Sequence, residues 1–283
     1  MTAATQHLRK LARRCVEEVL VRVPLEAAML TGSAARGDAD FYSDLDLLFY
    51  VEALPSDEAA AAIRTALGGS DPSRRGPADD FVSEEFDIDG VRTELSFITV
   101  TRVESRLEHL LGEIDEFDSP SQKILGGILE SIPLHGAAYI ERLWERVEQY
   151  PEPMRGPMVE RHWEFFPLWY HSDAIATRDA ELWRLDMLLD GAFNLLAVLS
   201  ALNRLYFTRF ELKRMRMLVA RMGLAPPALA DRLESLFTLP PEPAAAELGR
   251  LVEETRAIVA AELPDLHLPL AFAPGRRQQP WRV

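Results

Sequence analysis

The chain has 283 residues, 48% hydrophobic and 27% charged, which suits one large domain or two modest ones. Its 45 acidic and 31 basic residues give a formal net charge of −14, a balance that disfavours gripping a polynucleotide backbone and favours a small, cationic partner. The single cysteine, Cys15, excludes an internal disulfide, and no apolar run approaches the ~20 residues that span a bilayer.

In chain order, Leu8, Leu11, Cys15, Val19 and Val23 recur at three- and four-residue spacing and predict an amphipathic helix that Pro24 ends. Glu17 and Glu18 lie within it, so it reads as a structural helix rather than a leader, and a reducing cytoplasm fits the lone thiol. A short strand is expected over Ala27 to Thr31 and a second over Leu45 to Val51, followed by an Ala-rich helix from Pro55 to Leu67 that Gly68-Gly69 stops. Asp71 to Asp80 reads as a polar loop. Asp89-Gly90 between two apolar-containing runs predicts a two-residue hairpin turn, with Asp87 facing Arg92 as a cross-strand ion pair and Glu94 on the same face as Arg92.

Beyond Asp118 the pattern is helical. The expected segments are Gln122 to Ile132, Ala137 to Gln149, Met158 to Ala176, Asp179 to Tyr206, Phe210 to Met222, Pro227 to Leu236 and Ala244 to Leu263. The fold class expected is α+β: a small mixed-sheet domain over 1–118, then an all-helical bundle domain over 119–283 with a poorly ordered tail.

The chemistry concentrates in Leu30 to Tyr50, "LTGSAARGDADFYSDLDLLFY". Alternate residues of a strand share a face, so Asp44 and Asp46 point one way while Leu45, Leu47 and Phe49 point into a core. Two carboxylates held that close repel unless a cation lies between them, and Mg²⁺ accepts such a pair together with phosphate oxygens and water. Glu94, on a neighbouring strand, completes a triad, and Gly32-Ser33 offers backbone N–H groups and a hydroxyl to phosphate oxygens.

Gly32-Ser33, Gly37 and Ser43-Asp44-Leu45-Asp46-Leu47 resemble the signature of the nucleotidyltransferase superfamily, which has a polymerase β-like fold. The glutamate of "RTELSFITV" is similar to the third carboxylate of two-domain aminoglycoside adenylyltransferases, and the motif match spans residues 28 to 100. The resemblance implies a Mg²⁺-dependent transfer of a nucleoside monophosphate, AMP from ATP, to a hydroxyl of a small acceptor lying between the two domains. Asp44, Asp46 and Glu94 would be the metal and catalytic carboxylates, with Glu94 either a third ligand or the base. Gly32, Ser33 and Ser43 of the motif would serve the nucleotide. Arg36 either touches the triphosphate or is a solvated loop arginine. Lys213 either closes over the triphosphate or belongs, with Arg214 and Arg216, to the polar face of a helix.

The aromatics Trp163, Phe166, Trp169 and Tyr170 read mostly as core, with one or two free to line a substrate cleft and Glu164 and Asp173 as counter-charges for an amine. His109, His135, His162 and His171 have no metal-ligand spacing. The acceptor implied by analogy is an aminoglycoside-like antibiotic, with no nucleic acid and no membrane partner. Two other readings stay open: a protein- or tRNA-modifying transferase of the toxin–antitoxin kind, and a non-catalytic nucleotide-binding module.

Overall fold

The computed structural model describes residues 1–112, 119–168 and 178–271, with backbone alone for 74–78, 119 and 120. The chain divides into two compact units, Met1–Phe117 with Ile124–Gln149, and Asp118–Lys123 with Tyr150–Val283.

The first unit is built on a six-stranded mixed sheet of order β3-β4-β5-β2-β1-β6. Helix α1 (Ala3–Leu20) starts at an N-cap, where the Thr2 hydroxyl accepts the N–H of Thr5. Strand β1 (Ala27–Leu30), the one-turn helix α2 (Gly32–Arg36) and strand β2 (Leu45–Val51) follow. Helix α3 (Asp57–Leu67) is capped by Ser56 and stopped by Gly68 at φ 73°, as the Gly-Gly pair led one to expect. Strands β4 (Phe81–Ile88) and β5 (Val91–Thr99) form the hairpin, whose turn residues Asp89 and Gly90 both take positive φ, 51° and 81°. That is the type I′ requirement, and it sets the register Asp87↔Arg92 and Glu85↔Glu94. The central strands β2 and β5 run parallel, and the other neighbours run antiparallel.

Two strands depart from the sequence expectation. The segment read as a polar loop is strand β3 (Ser70–Ala78). It is an edge strand, paired on one side only and with irregular register, and such a strand tolerates Pro72, Gly76 and Pro77. After helices α4 (Val100–Gly112) and α5 (Ser119–Leu129) comes strand β6 (Ile132–His135), where only helix was expected. It closes the other edge of the sheet against β1 and leads into α6 (Ala137–Glu148).

One sheet face is the core. Leu8, Leu11, Cys15 and Val19 of α1 and Ile63 and Leu67 of α3 pack with Leu45, Leu47, Phe49, Phe86, Ile88, Leu95 and Phe97. Phe49 and Phe97 stack at 4.9 Å between ring centroids. Burial pushes the Cys15 thiol up to about 12, so it is an inert core residue. The alternate positions of β2 and β5 are thereby turned to the opposite face, and Asp46 and Glu94 are among them.

The second unit contains α7 (Arg155–His162), α8 (Glu181–Leu202), α9 (Met215–Val219), α10 (Leu229–Ser235) and α11 (Pro241–Glu262). Contrary to the composition reading, α8 is long and apolar enough to cross a membrane, but 67% of its apolar window is buried, as in the core helix of a globular unit. Trp163 is core, its indole N–H donating to the Pro269 carbonyl at 3.1 Å. Phe166 stays half exposed, edge-on to Trp183. Trp169, Tyr170, His171 and Asp173, and the tail from residue 272, lie outside the described residues.

Candidate active site

The site grows from the junction of β1, α2 and β2. The Thr31 N–H donates to the Asp46 carbonyl at 3.0 Å, which ties the end of β1 to the start of β2. Gly32 then turns the chain at φ 69°, and a Cβ added there would lie 2.4 Å from Asp46 Oδ2. The Asp46 carboxylate therefore rests over the Gly32 backbone, in a place that only glycine leaves open. The Gly-Ser pair is thus the first turn of a short helix rather than a free turn, and its leading N–H groups have no intrahelical acceptors. Arg9 of α1 holds the other end of that helix, its Nε donating to the Ala34 carbonyl at 2.9 Å and its Nη2 to the Ala35 carbonyl at 2.7 Å.

The chain enters β2 through a tight turn from Asp40 to Ser43. The Ser43 hydroxyl donates to Asp40 Oδ1 at 3.1 Å and accepts the Asp40 N–H at 3.0 Å, so Ser43 shapes the approach to Asp44. Asp44 is exposed and Asp46 half-buried, two residues apart at the mouth of the strand. The parallel register sets Asp46 directly beside Glu94 and Leu47 beside Leu95. Side chains paired in register on adjacent strands share a face. The sheet thus brings together Asp46 and Glu94, from residues 48 positions apart, with Asp44 at the edge of the same face.

Glu94 is held by groups that the sequence did not single out. Its Oε1 accepts the Ser83 hydroxyl at 2.7 Å and lies 3.0 Å from the Ser96 hydroxyl. Arg92 shares this face. Its expected ion pair with Asp87 is replaced by one with Glu85: Arg92 Nη2 to Glu85 Oε1 is 2.6 Å. A long guanidinium reaches the diagonal neighbour as easily as the residue opposite. Glu85 is the main cause that pushes the Arg92 guanidinium further up, and Asp44 and Glu94 add to it. Arg92 is therefore a fixed positive charge among the carboxylates.

The remaining candidates are placed as follows. Arg36 is neither bare nor solvated; it is half-buried, 3.4 Å from Asp38 and 3.5 Å from Glu130. Lys213 lies in the second unit, in a 3₁₀ turn (Arg209–Arg214), exposed, with its ammonium 5.7 Å from the Phe210 ring centre. Its neighbours Arg214 and Arg216 pair with Glu211 and with Asp231 and Glu234. Among the described residues, no three His, Cys, Asp or Glu side chains form a ready ligand cage. The donor set still fits Mg²⁺, a hard cation that commonly takes one or two carboxylates and fills its other positions with water and substrate phosphate.

A nucleotidyltransferase domain family matches residues 8–120. No curated protein matches the chain. Among solved structures, a nucleotidyltransferase-like protein from Exiguobacterium sibiricum 255-15 is 10% identical. The match covers 88% of this chain and 74% of that one at a TM-score of 0.39, a likeness too loose to bear on the site. The stretch that matches the nucleotidyltransferase domain family, residues 8–120, contains Gly32, Ser33, Asp44, Asp46 and Glu94.

Proposed function

We propose that the protein is a Mg²⁺-dependent nucleotidyltransferase that moves AMP from ATP to a hydroxyl of a small molecule. The observation that carries this reading is the register of β2 and β5, which sets Asp46 beside Glu94 while the Asp46 carboxylate rests on Gly32. A phosphate-approaching backbone, a carboxylate pair and a third carboxylate then converge on one end of one sheet face.

In this reading the acceptor oxygen attacks the α-phosphorus, the bond from that phosphorus to the bridging oxygen breaks, and pyrophosphate leaves. Glu94 accepts the acceptor's proton or serves as a third ligand. The N–H groups that open α2, with the Ser33 hydroxyl, hold β- and γ-phosphate oxygens. Asp44 and Asp46 hold Mg²⁺, which when bound neutralises charge on the triphosphate. Ser43 fixes the turn that presents Asp44. Arg36 and Lys213 are second-rank candidates for phosphate contact, Arg36 because its ion pairs with Asp38 and Glu130 would have to open. The net charge of −14 supports a cationic acceptor, and an aminoglycoside-like antibiotic is the class that the resemblance favours. A cytoplasmic setting, where ATP and Mg²⁺ are plentiful, completes the proposal.

Thermal unfolding tests the nucleotide site without knowledge of the acceptor. ATP with Mg²⁺ is expected to raise the melting temperature, since a ligand at about 100 times its Kd stabilises the native state by about 2.7 kcal/mol. ATP with EDTA is expected to raise it much less. Equal shifts with and without the metal would instead indicate a nucleotide pocket that does not depend on the carboxylates.

A further inference from the structure

We infer that Ser83 and Ser96 are positioning residues that aim the Glu94 carboxylate, an inference that rests on the nucleotidyltransferase reading of this face. The two serines stand directly opposite each other on β4 and β5 and are 2% and 4% exposed. Interior strand positions usually carry β-branched or aromatic side chains, and a buried hydroxyl is costly unless it is hydrogen-bonded. A mutual Ser–Ser bond across the strands would answer that need, and their oxygens are indeed 3.1 Å apart. Yet the shortest contact of the group runs elsewhere: Ser83 Oγ donates to Glu94 Oε1 at 2.7 Å. Ser96, with one proton to give, sits 3.0 Å from the same Oε1 and 3.1 Å from Ser83.

Both hydroxyls therefore converge on one oxygen of one carboxylate. Hydrogen bonds to an ionised acceptor are roughly twice as strong as neutral ones. A glutamate side chain loses considerable rotamer freedom when fixed, and these two bonds do the fixing before substrate arrives. The described residues make no hydrogen bond to Oε2, so the second oxygen is left for the acceptor proton or the metal. Glu94 is thus anchored from β4 and from its own strand, while Asp46 flanks it from β2.

The test compares Ser83→Ala, Ser83→Thr, Glu94→Gln and the Ser83→Ala/Glu94→Gln double variant, with Asp44→Asn as a control. Pyrophosphate release from ATP and Mg²⁺ is followed with a panel of hydroxyl-bearing small amines and with water as the default acceptor. Ser83→Ala is expected to lower kcat about tenfold and to leave KM for ATP within about twofold, because a misaimed group costs the reacting geometry rather than binding. Ser83→Thr, which keeps the hydroxyl, is expected to restore most of the rate. Removing Ser83 in the Glu94→Gln background is expected to add little further loss, since residues acting as one unit are not additive. A full Ser83→Ala effect in that background, or wild-type kcat in Ser83→Ala, overturns the inference. Crystal structures of the wild type and Ser83→Ala give a readout independent of turnover: the Glu94 side chain is expected to change rotamer, and an unchanged Glu94 overturns the inference. An active Asp44→Asn would instead overturn the nucleotidyltransferase reading itself, so the two failures are distinguishable.

Discussion

Asp44→Asn and Asp46→Asn are each expected to lower nucleotidyl transfer by about 10³-fold or more, while the protein keeps its fold. Charge stabilisation by a bound metal is worth several kcal/mol in the transition state, and each 1.36 kcal/mol is a factor of ten in rate. Asparagine keeps the shape and one oxygen of aspartate but loses the charge that would hold the cation. The isosteric change matters most at Asp46, whose Oδ2 lies only 2.4 Å from where a Gly32 Cβ would be. At Asp44 the side chain is exposed, so its charge is screened and stability is expected to change by no more than a few tenths of a kcal/mol. Circular dichroism and the melting curve check the fold, and initial rates of pyrophosphate release check the chemistry. Near-wild-type turnover in either variant would mean that these carboxylates do not hold the metal.

Glu94→Gln is expected to have the second largest effect, and its form separates the two roles open to that residue. Glutamine still accepts the Ser83 and Ser96 hydroxyls through its amide oxygen, so the hydrogen-bonded frame around position 94 survives. What it loses is the ability to take a proton. If Glu94 is the base, the rate falls by about 10²–10⁴-fold while ATP binding and the Mg²⁺ requirement stay nearly normal. If Glu94 is chiefly a ligand, half-maximal rate instead demands much more Mg²⁺. A titration of Mg²⁺ at saturating ATP distinguishes them. A variant with unchanged rate and unchanged Mg²⁺ dependence would remove Glu94 from the reaction altogether.

The parts of this site that follow from local pattern were legible in the sequence. Period-two alternation put Asp44 and Asp46 on one face and Leu45, Leu47 and Phe49 on the other, and burial in the structure follows that alternation. The same alternation put Arg92 and Glu94 on one face, and the Asp89-Gly90 turn set Asp87 opposite Arg92. What depends on pairing between distant segments was not legible. Strand β3 was hidden by its Pro and Gly content, which only its edge position makes tolerable. Strand β6 has four residues, and it becomes a strand because β1 offers an open edge. Arg36 gave no sign of Glu130, which is 94 positions away. The reach of Ser83 to Glu94 and of Arg92 to Glu85 are diagonal contacts, set by the twist and spacing of two strands. Gly32 was read as a backbone approach for phosphate, and its closeness to the Asp46 carboxylate was not anticipated.

Nucleotidyl transfer is tested most directly by following the α-phosphate of ATP. Wild-type protein is incubated with Mg²⁺ and a panel of hydroxyl-bearing amines, using ATP labelled at the α- or at the γ-phosphorus. With α-labelled ATP the label is expected to move to the acceptor, and with γ-labelled ATP it is expected to leave as pyrophosphate. Neither transfer is expected in Asp46→Asn. Label moving to the acceptor from the γ-position would show a phosphotransferase and contradict nucleotidyl transfer at Asp44 and Asp46.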